Sequence, residues 1–164
     1  MDVLSTHTPG DWRPLMLMPL VRPSDDDVLN EFRLDFFPPA LPQIVATMRH
    51  LLRDTLGAIG LDSDTACLLL SELLTNAIVH GAGPAVVLEL RAGVLYIAVA
   101  DSSSEPLAVR PGSTARTSGR GLFLVEQLAD EWGVEKLGPY GKAVWARTAA
   151  VAAGVAVPGA AGGV

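Results

Sequence analysis

Hydrophobic and polar residues alternate in several short segments of the chain and recur at helical spacing in others. Residues 31–36 alternate in the manner of a half-buried strand, and two consecutive prolines stop this pattern. Over residues 41–59 apolar side chains recur every three or four positions, which predicts a helix that Gly60 ends. The same reasoning predicts helices over residues 63–79 and 122–130, and strands over residues 86–90, 94–100, 132–137 and 143–147.

The order of these elements, β-α-α-β-β-α-β-β, favours one class of fold. Two of the strands are joined across Ala92 and Gly93, a spacing that suits a hairpin. Strands outnumber helices and come in pairs, whereas a parallel sheet needs a helix between successive strands. We therefore expect an α+β fold, a two-layer α/β sandwich whose mixed, mostly antiparallel sheet carries helices on one face.

The two ends of the chain lack this periodicity. Residues 1–29 contain several prolines and an acidic run, and we expect a mobile N-terminal arm. Residues 149–164 consist only of Ala, Val, Gly and Pro, which predicts a disordered tail with little surface to bury. One domain is expected between them, over residues 30–148.

Composition and charge exclude several classes of function. The chain is 49% hydrophobic, but no apolar run reaches the roughly 18 residues of a membrane-spanning helix, so we expect a cytoplasmic protein without membrane contact. The net charge of −6 disfavours direct binding to nucleic acid. The single cysteine, Cys67, lies in an apolar run and is expected to be a buried small residue.

Candidate chemistry begins on the second predicted helix, where Glu72 and Asn76 are four residues apart and share one face. The opposite face carries the apolar stripe, and leucines flank the pair on its own side. A carboxylate among apolar neighbours is costly to desolvate, which suggests a binding pocket. Ordinary surface polarity is the alternative for this pair taken alone.

Asp101 ends the most apolar predicted strand, where the chain enters a long polar loop. An ionised carboxylate accepts hydrogen bonds without donating, so it can bind the exocyclic amine of adenine and reject a carbonyl. A strand-ending Asp that caps Ser103 or Ser104 is the alternative interpretation.

Two glycines, Gly119 and Gly121, immediately precede the third predicted helix. Such a loop allows backbone N–H groups to approach phosphate oxygens, although glycines also serve in ordinary turns. Leu124 stands where a dinucleotide-binding motif has its third glycine, and the Gly-Lys-Ser or Gly-Lys-Thr ending of a P-loop is absent.

Four segments, taken in order, resemble the nucleotide-binding boxes of the histidine-kinase-like (GHKL) ATPase superfamily. They are Glu72-Leu73-Leu74-Thr75-Asn76-Ala77, Asp101-Ser102-Ser103, Gly119-Arg120-Gly121-Leu122 and Gly141-Lys142-Ala143-Val144-Trp145. Their order and spacing agree with the predicted elements over about residues 31–147, and the resemblance implies the Bergerat ATP-binding fold. Ser71-Glu72-Leu73, His80-Gly81 and Gly121-Leu122-Phe123-Leu124-Val125 look most like the anti-sigma-factor serine/threonine kinases.

The resemblance implies a role for each candidate residue. Glu72 would be the general base, Asn76 would coordinate the Mg²⁺ that bridges the ATP phosphates, and Asp101 would bind the adenine amine. Gly119 and Gly121 would belong to a lid over the phosphates, where Arg120 could add a positive charge. The implied ATP- and Mg²⁺-binding set is Asn76, Asp101, Gly119, Arg120, Gly121 and Leu122.

Two departures from the family pattern bear on nucleotide binding. Serines follow Asp101 where the family usually has a glycine near the adenine. Ala143 stands where the family usually has threonine, and we expect this to remove a hydroxyl that supports Asp101.

The function implied by the resemblance is that of an anti-sigma-factor serine/threonine kinase. Such a protein binds a sigma factor and phosphorylates the antagonist protein that competes for it, and family members are often homodimers. The alternative is a non-catalytic module whose affinity for a partner changes with nucleotide occupancy. A sensor histidine kinase is disfavoured because His50 lies within the first predicted helix of the domain rather than in a separate dimerisation hairpin.

Overall fold

The computed structural model describes residues 31–81, 83–102 and 120–154, with Arg120 described by its backbone alone. The helices are α1 (Gln43–Ala58), α2 (Asp64–His80) and α3 (Arg120–Leu128). The strands are β1 (Phe32–Phe36), β2 (Ala85–Arg91), β3 (Val94–Asp101), β4 (Glu131–Lys136) and β5 (Lys142–Ala149), and a short 3₁₀ turn (Gly138–Tyr140) precedes β5. Every predicted element is confirmed, with ends that differ by one or two residues.

The strands form one five-stranded sheet in the order β1-β2-β3-β5-β4. Each pair of neighbours is antiparallel, so the described sheet is antiparallel throughout rather than mixed. The reason is that β5 lies between β3 and β4. The two strands that α3 connects run in the same direction but are not neighbours. The predicted α+β sandwich is otherwise confirmed.

The hydrophobic core lies between the helices and one face of this sheet. Helix α2 contributes its most buried residues at helical spacing, and Leu70, Leu73 and Leu74 are each at most 1% exposed. Alternate residues of β3, including Ile97 and Val99, face this helix and are equally buried. Burial of such side chains is the main stabilising term, at about 1.5 to 3 kcal/mol each.

The opposite face of the sheet, here called the outer face, carries a row of polar and aromatic side chains, one from each strand. In strand order the row is Arg33, Glu89, Tyr96, Arg147 and Glu131. Ion pairs join Arg33 to Glu89 at 2.9 Å and Arg147 to Glu131 at 3.0 Å. The guanidinium of Arg147 lies 5.7 Å from the ring centre of Tyr96. These cross-strand pairs are compatible with the register that the buried apolar face sets, and each adds a small stabilising contribution.

The segment between α1 and α2 and the residues that follow β5 are joined by backbone hydrogen bonds. The N–H of Asp62 donates to the carbonyl of Val151, and that of Ala153 donates to the carbonyl of Gly60, each at 2.8 Å. Residues 149–154, which composition assigns to a tail, therefore belong to the fold. Backbone groups make these bonds and need no large side chains. Residues 155–164 and the expected arm at residues 1–29 lie outside the described residues.

Candidate functional site

Helix α2 places Glu72 and Asn76 on one side, next to the first turn of α3. Both side chains are half-buried, whereas Leu73 and Leu74 on the opposite side are fully buried in the core. The spacing of four residues brings the carboxylate and the amide to adjacent positions along the helix. The structure therefore brings these two candidates together, as the sequence predicts.

Gly121 in the first turn of α3 allows that helix to approach the pair closely. A Cβ atom at this position would lie 2.7 Å from Oε2 of Glu72 and 3.3 Å from Nδ2 of Asn76. The approach is fixed from the other side by Leu122 and Val125, which are buried in the core. Leu122, which belongs to the candidate set, can therefore offer a ligand its backbone N–H group but not its side chain.

The first turn of an α-helix has backbone N–H groups without partners in the helix and carries partial positive charge. In α3 these groups lie beside a carboxylate and an amide, since Gly121 contacts Glu72 and Asn76. Such a combination can bind a phosphate group and an oxygen-seeking cation together. Gly119 lies outside the described residues. So do Ser103 and Ser104, which the alternative capping role for Asp101 involves.

Asp101 lies at the other end of the site, where α2 terminates. A Cβ atom at Gly81 would come within 2.6 Å of the Cβ of Asp101, so only a residue without a side chain fits there. The Asp101 side chain is 3% exposed. At the rise of an α-helix, Glu72 and Gly81 are roughly 13 Å apart along the axis. A ligand that contacts both ends of the site must therefore be elongated.

The Asp101 carboxylate forms a buried ion pair with Lys142. The two residues are directly opposite each other on β3 and β5, and Nζ of Lys142 lies 3.1 Å from Oδ1 of Asp101. Both side chains are buried, at 8% and 3% exposure. Lys142 has no role of its own among the sequence-based predictions. Its alternation with Val144 and Ala146, which face the core, could have indicated that it points inward.

The structure corrects the expectation for Ala143. This residue is paired with Ala100, so its side chain lies on the outer face of the sheet and Asp101 points to the core side. A threonine at position 143 would not reach the Asp101 carboxylate in this register. The residue of this segment that affects Asp101 is therefore Lys142, which is paired with it.

Gly141 completes the surroundings of Asp101. Its φ of 107° lies in a region that favours glycine, and a Cβ atom there would overlap the carbonyl oxygen of Asp101 and lie 2.7 Å from the Cα of Ser102. In the sequence, Gly141 and Gly81 stand out only as parts of longer motifs. Their close approach to Asp101 is a tertiary feature.

Three further reactive side chains lie in the described residues, those of His50, His80 and Cys67. His50 is exposed on α1, with Nδ1 at 3.5 Å from a guanidinium nitrogen of Arg53, and His80 is exposed at the end of α2. Cys67 is buried as predicted, and burial raises the pKa of its thiol. Within the described ranges, no group of three or more His, Cys, Asp and Glu residues is arranged to hold a metal ion.

Residues 38–148 match the family described as the histidine kinase-like ATPase domain. The match covers more than half of the chain, which therefore belongs to this family. Family membership implies an ATP-binding domain, and it confirms the resemblance of the four sequence segments.

The fold is similar to a solved structure of the RsbU and RsbW domains of Rv1364c from Mycobacterium tuberculosis, with a TM-score of 0.55 and 23% sequence identity. The similarity covers 72% of this chain and 32% of that chain, so this chain spans about a third of its length. At this identity the similarity shows a shared fold. No curated protein sequence gives a significant match. In the described part of the chain, no helix is both long and apolar enough to cross a membrane.

Proposed function

We propose that this protein is an Mg-ATP-dependent regulatory kinase of the anti-sigma-factor type, which phosphorylates a serine or threonine of an antagonist protein. The observation that carries the proposal is the placement of Glu72 and Asn76 beneath the first turn of α3, with a buried Asp101 at the far end of α2. In this arrangement one end of the site suits phosphates and the other suits a base. The RsbW domain in the similar solved structure agrees with a regulatory role.

At the base end, the Asp101 carboxylate would accept a hydrogen bond from the exocyclic amine of adenine. Its burial strengthens such a bond, because little water competes for the carboxylate. Gly81 packs directly against Asp101, and a larger residue there would displace the Asp101 side chain. Guanine presents a carbonyl at the same position and would be rejected.

At the phosphate end, the backbone N–H groups of the first turn of α3 would bind phosphate oxygens. The Asn76 amide oxygen is a suitable ligand for Mg²⁺, which would neutralise charge on the phosphates. Gly121 approaches both Asn76 and Glu72 closely, which brings the first turn of α3 next to this pair. This proximity supports the proposal that the phosphates and Mg²⁺ of ATP bind here.

Glu72 would act as the general base. Its carboxylate would accept the proton of the acceptor hydroxyl while the hydroxyl oxygen forms a bond to the γ-phosphorus. The bond between this phosphorus and the bridging oxygen breaks at the same time, and ADP leaves. The acceptor must come from a partner that holds its hydroxyl in line, so ATP hydrolysis by the isolated protein should be slow.

The partners would be a sigma factor and its antagonist protein, and the protein would act with them in the cytoplasm. A homodimer is the oligomeric state that we propose. The proposed partners and the proposed homodimer rest on the family resemblance rather than on the geometry of the site.

The test is to purify the cellular partners of the protein, incubate each with Mg-ATP and the protein, and map phosphate by mass spectrometry. We expect a modified Ser or Thr on one partner, and the signal should disappear with Glu72→Gln. Glu126→Gln is the matched control, because Glu126 is exposed on α3 and should leave the signal unchanged. Partners that bind in an ATP-dependent manner without ever being phosphorylated would show instead a nucleotide-switched binding module.

A second pair of variants tests the metal ligand. Asn76→Ala should lose the Mg²⁺ dependence of ATP affinity, whereas Glu72→Gln should keep it. Thr75→Ala serves as the control, since Thr75 is the exposed neighbour on the same helix. Equal Mg²⁺ dependence in Asn76→Ala and the wild type would exclude Asn76 as the ligand.

A further inference from the structure

The site contains a buried cation that the proposed function does not use. Lys142 begins β5 and shares its core-facing side with Val144 and Ala146, which are 4% and 0% exposed. A lysine in such a position brings an ammonium group into surroundings that favour an apolar side chain. Its 3.1 Å ion pair with Asp101 contributes to the compensation for this burial.

Stability alone does not account for a charged pair at this position. Removal of two charges from water costs several kcal/mol per ion, and an apolar pair of similar volume is often equally stable or more stable. The sequence motif and the family resemblance identify Asp101 as the residue that contacts the base. A positive charge held against this carboxylate therefore affects recognition of the base directly.

The hydrogen-bonding atoms of the side chain at position 101 determine which base can bind there. A carboxylate only accepts hydrogen bonds, so it pairs with the amine of adenine and not with the carbonyl of guanine. A protonated carboxyl group also donates, so it can pair with that carbonyl. An ion pair that holds the Asp101 carboxylate in place therefore bears on which base the site accepts.

We infer that Lys142 is a positioning residue for base recognition, whose buried ion pair holds the Asp101 carboxylate in place and thereby makes the site selective for adenine over guanine nucleotides. The inference rests on the proposed ATP binding. Lys142 acts through Asp101 rather than by contact with the phosphates.

The experiment measures the affinities of ATP, adenosine and GTP by titration calorimetry on the full-length protein and on Lys142→Met. We expect Lys142→Met to weaken ATP binding about tenfold and to narrow the ratio of ATP to GTP affinity by a similar factor, which corresponds to one misplaced polar contact. Adenosine should be weakened by the same factor as ATP, because the effect is on the base.

Three further variants separate this role from a structural one. Lys142→Arg keeps the charge and should restore the selectivity for ATP over GTP. Lys142→Gln keeps a hydrogen-bond donor for Asp101 but removes the positive charge, so it should lose the selectivity for ATP over GTP. If Lys142→Met does not fold, the affinities are measured on Lys142→Gln instead. Lys136→Met is the matched control, because Lys136 is the exposed residue opposite Lys142 on β4.

Each outcome distinguishes the inference from the proposed function. Wild-type protein that binds no ATP overturns both. Wild-type protein that binds ATP, together with a folded Lys142→Met or Lys142→Gln of unchanged affinity and selectivity, overturns the inference alone. A loss confined to ATP, with adenosine unaffected, also overturns it, because Lys142 would then act on the phosphates.

Discussion

A methyl group on the Cα of Gly121 would lie 2.7 Å from Oε2 of Glu72. The carboxylate is the end of a flexible side chain, so Gly121→Ala should displace Glu72 rather than unfold the protein. We expect phosphoryl transfer to a partner to fall about tenfold or more, because a general base must lie within hydrogen-bond reach of its proton. The thermal unfolding temperature should change little. Phosphorylation at the wild-type rate in Gly121→Ala would argue against Glu72 as the base.

The buried ion pair makes Asp101→Asn a substitution with two effects. The amide places a donor against the adenine amine, which should weaken ATP binding by roughly 1 to 3 kcal/mol. It also removes the charge partner of Lys142, which should lower the free energy of unfolding by about 3 kcal/mol. Calorimetry with ATP and urea denaturation measure these effects separately.

The double variant Asp101→Asn/Lys142→Met separates the two effects further. It contains neither buried charge, so it should regain much of the lost stability while ATP affinity stays low. Recovery of ATP affinity in the double variant would show that Asp101 does not contact ATP.

Gly141 and Gly57 should respond in opposite directions to substitution by alanine. At Gly141 a methyl group overlaps the backbone of Asp101 and the φ is positive, so Gly141→Ala should destabilise the fold by about 3 kcal/mol. Gly57 lies in α1, where an added methyl group would have no atom within 4 Å, so Gly57→Ala should stabilise the fold by about 0.5 to 1 kcal/mol. Chemical denaturation of the two variants checks both signs. Equal stabilities would contradict the backbone contact at Gly141.

Tyr96 should make stability depend on pH in the alkaline range. Burial on the outer face raises the pKa of its phenol to about 12 from the usual value of 10. The folded state favours the protonated phenol. The contribution of Tyr96 to the free energy of unfolding is therefore complete below pH 10 and is lost as the pH rises towards 12. The Tyr140→Phe variant contains Tyr96 as its one tyrosine. A pH titration of its phenolate absorbance measures the pKa of Tyr96 directly. Ionisation near pH 10 in the folded protein would contradict it.

Much of this protein follows from local sequence pattern. The strand and helix segments, the turn at residues 92–93 and the shared helix face of Glu72 and Asn76 depend on side-chain periodicity and turn chemistry, which act over a few residues. The four family segments identified the class of protein for a similar reason, because each segment is short and continuous. These features required no knowledge of which elements are neighbours.

The tertiary structure alone determined how these elements meet. Alternation with a period of two shows that Lys142 and Val144 share a face, but it does not show that β5 lies beside β3, which is what brings Lys142 to Asp101. The position of β5 between β3 and β4 also makes the sheet antiparallel throughout. The close approaches of Gly121 to Glu72 and of Gly81 to Asp101 depend on the packing of α3 and β3 against α2. Such contacts join residues far apart in the chain, and they form because burial of the shared core fixes the relative positions of whole elements.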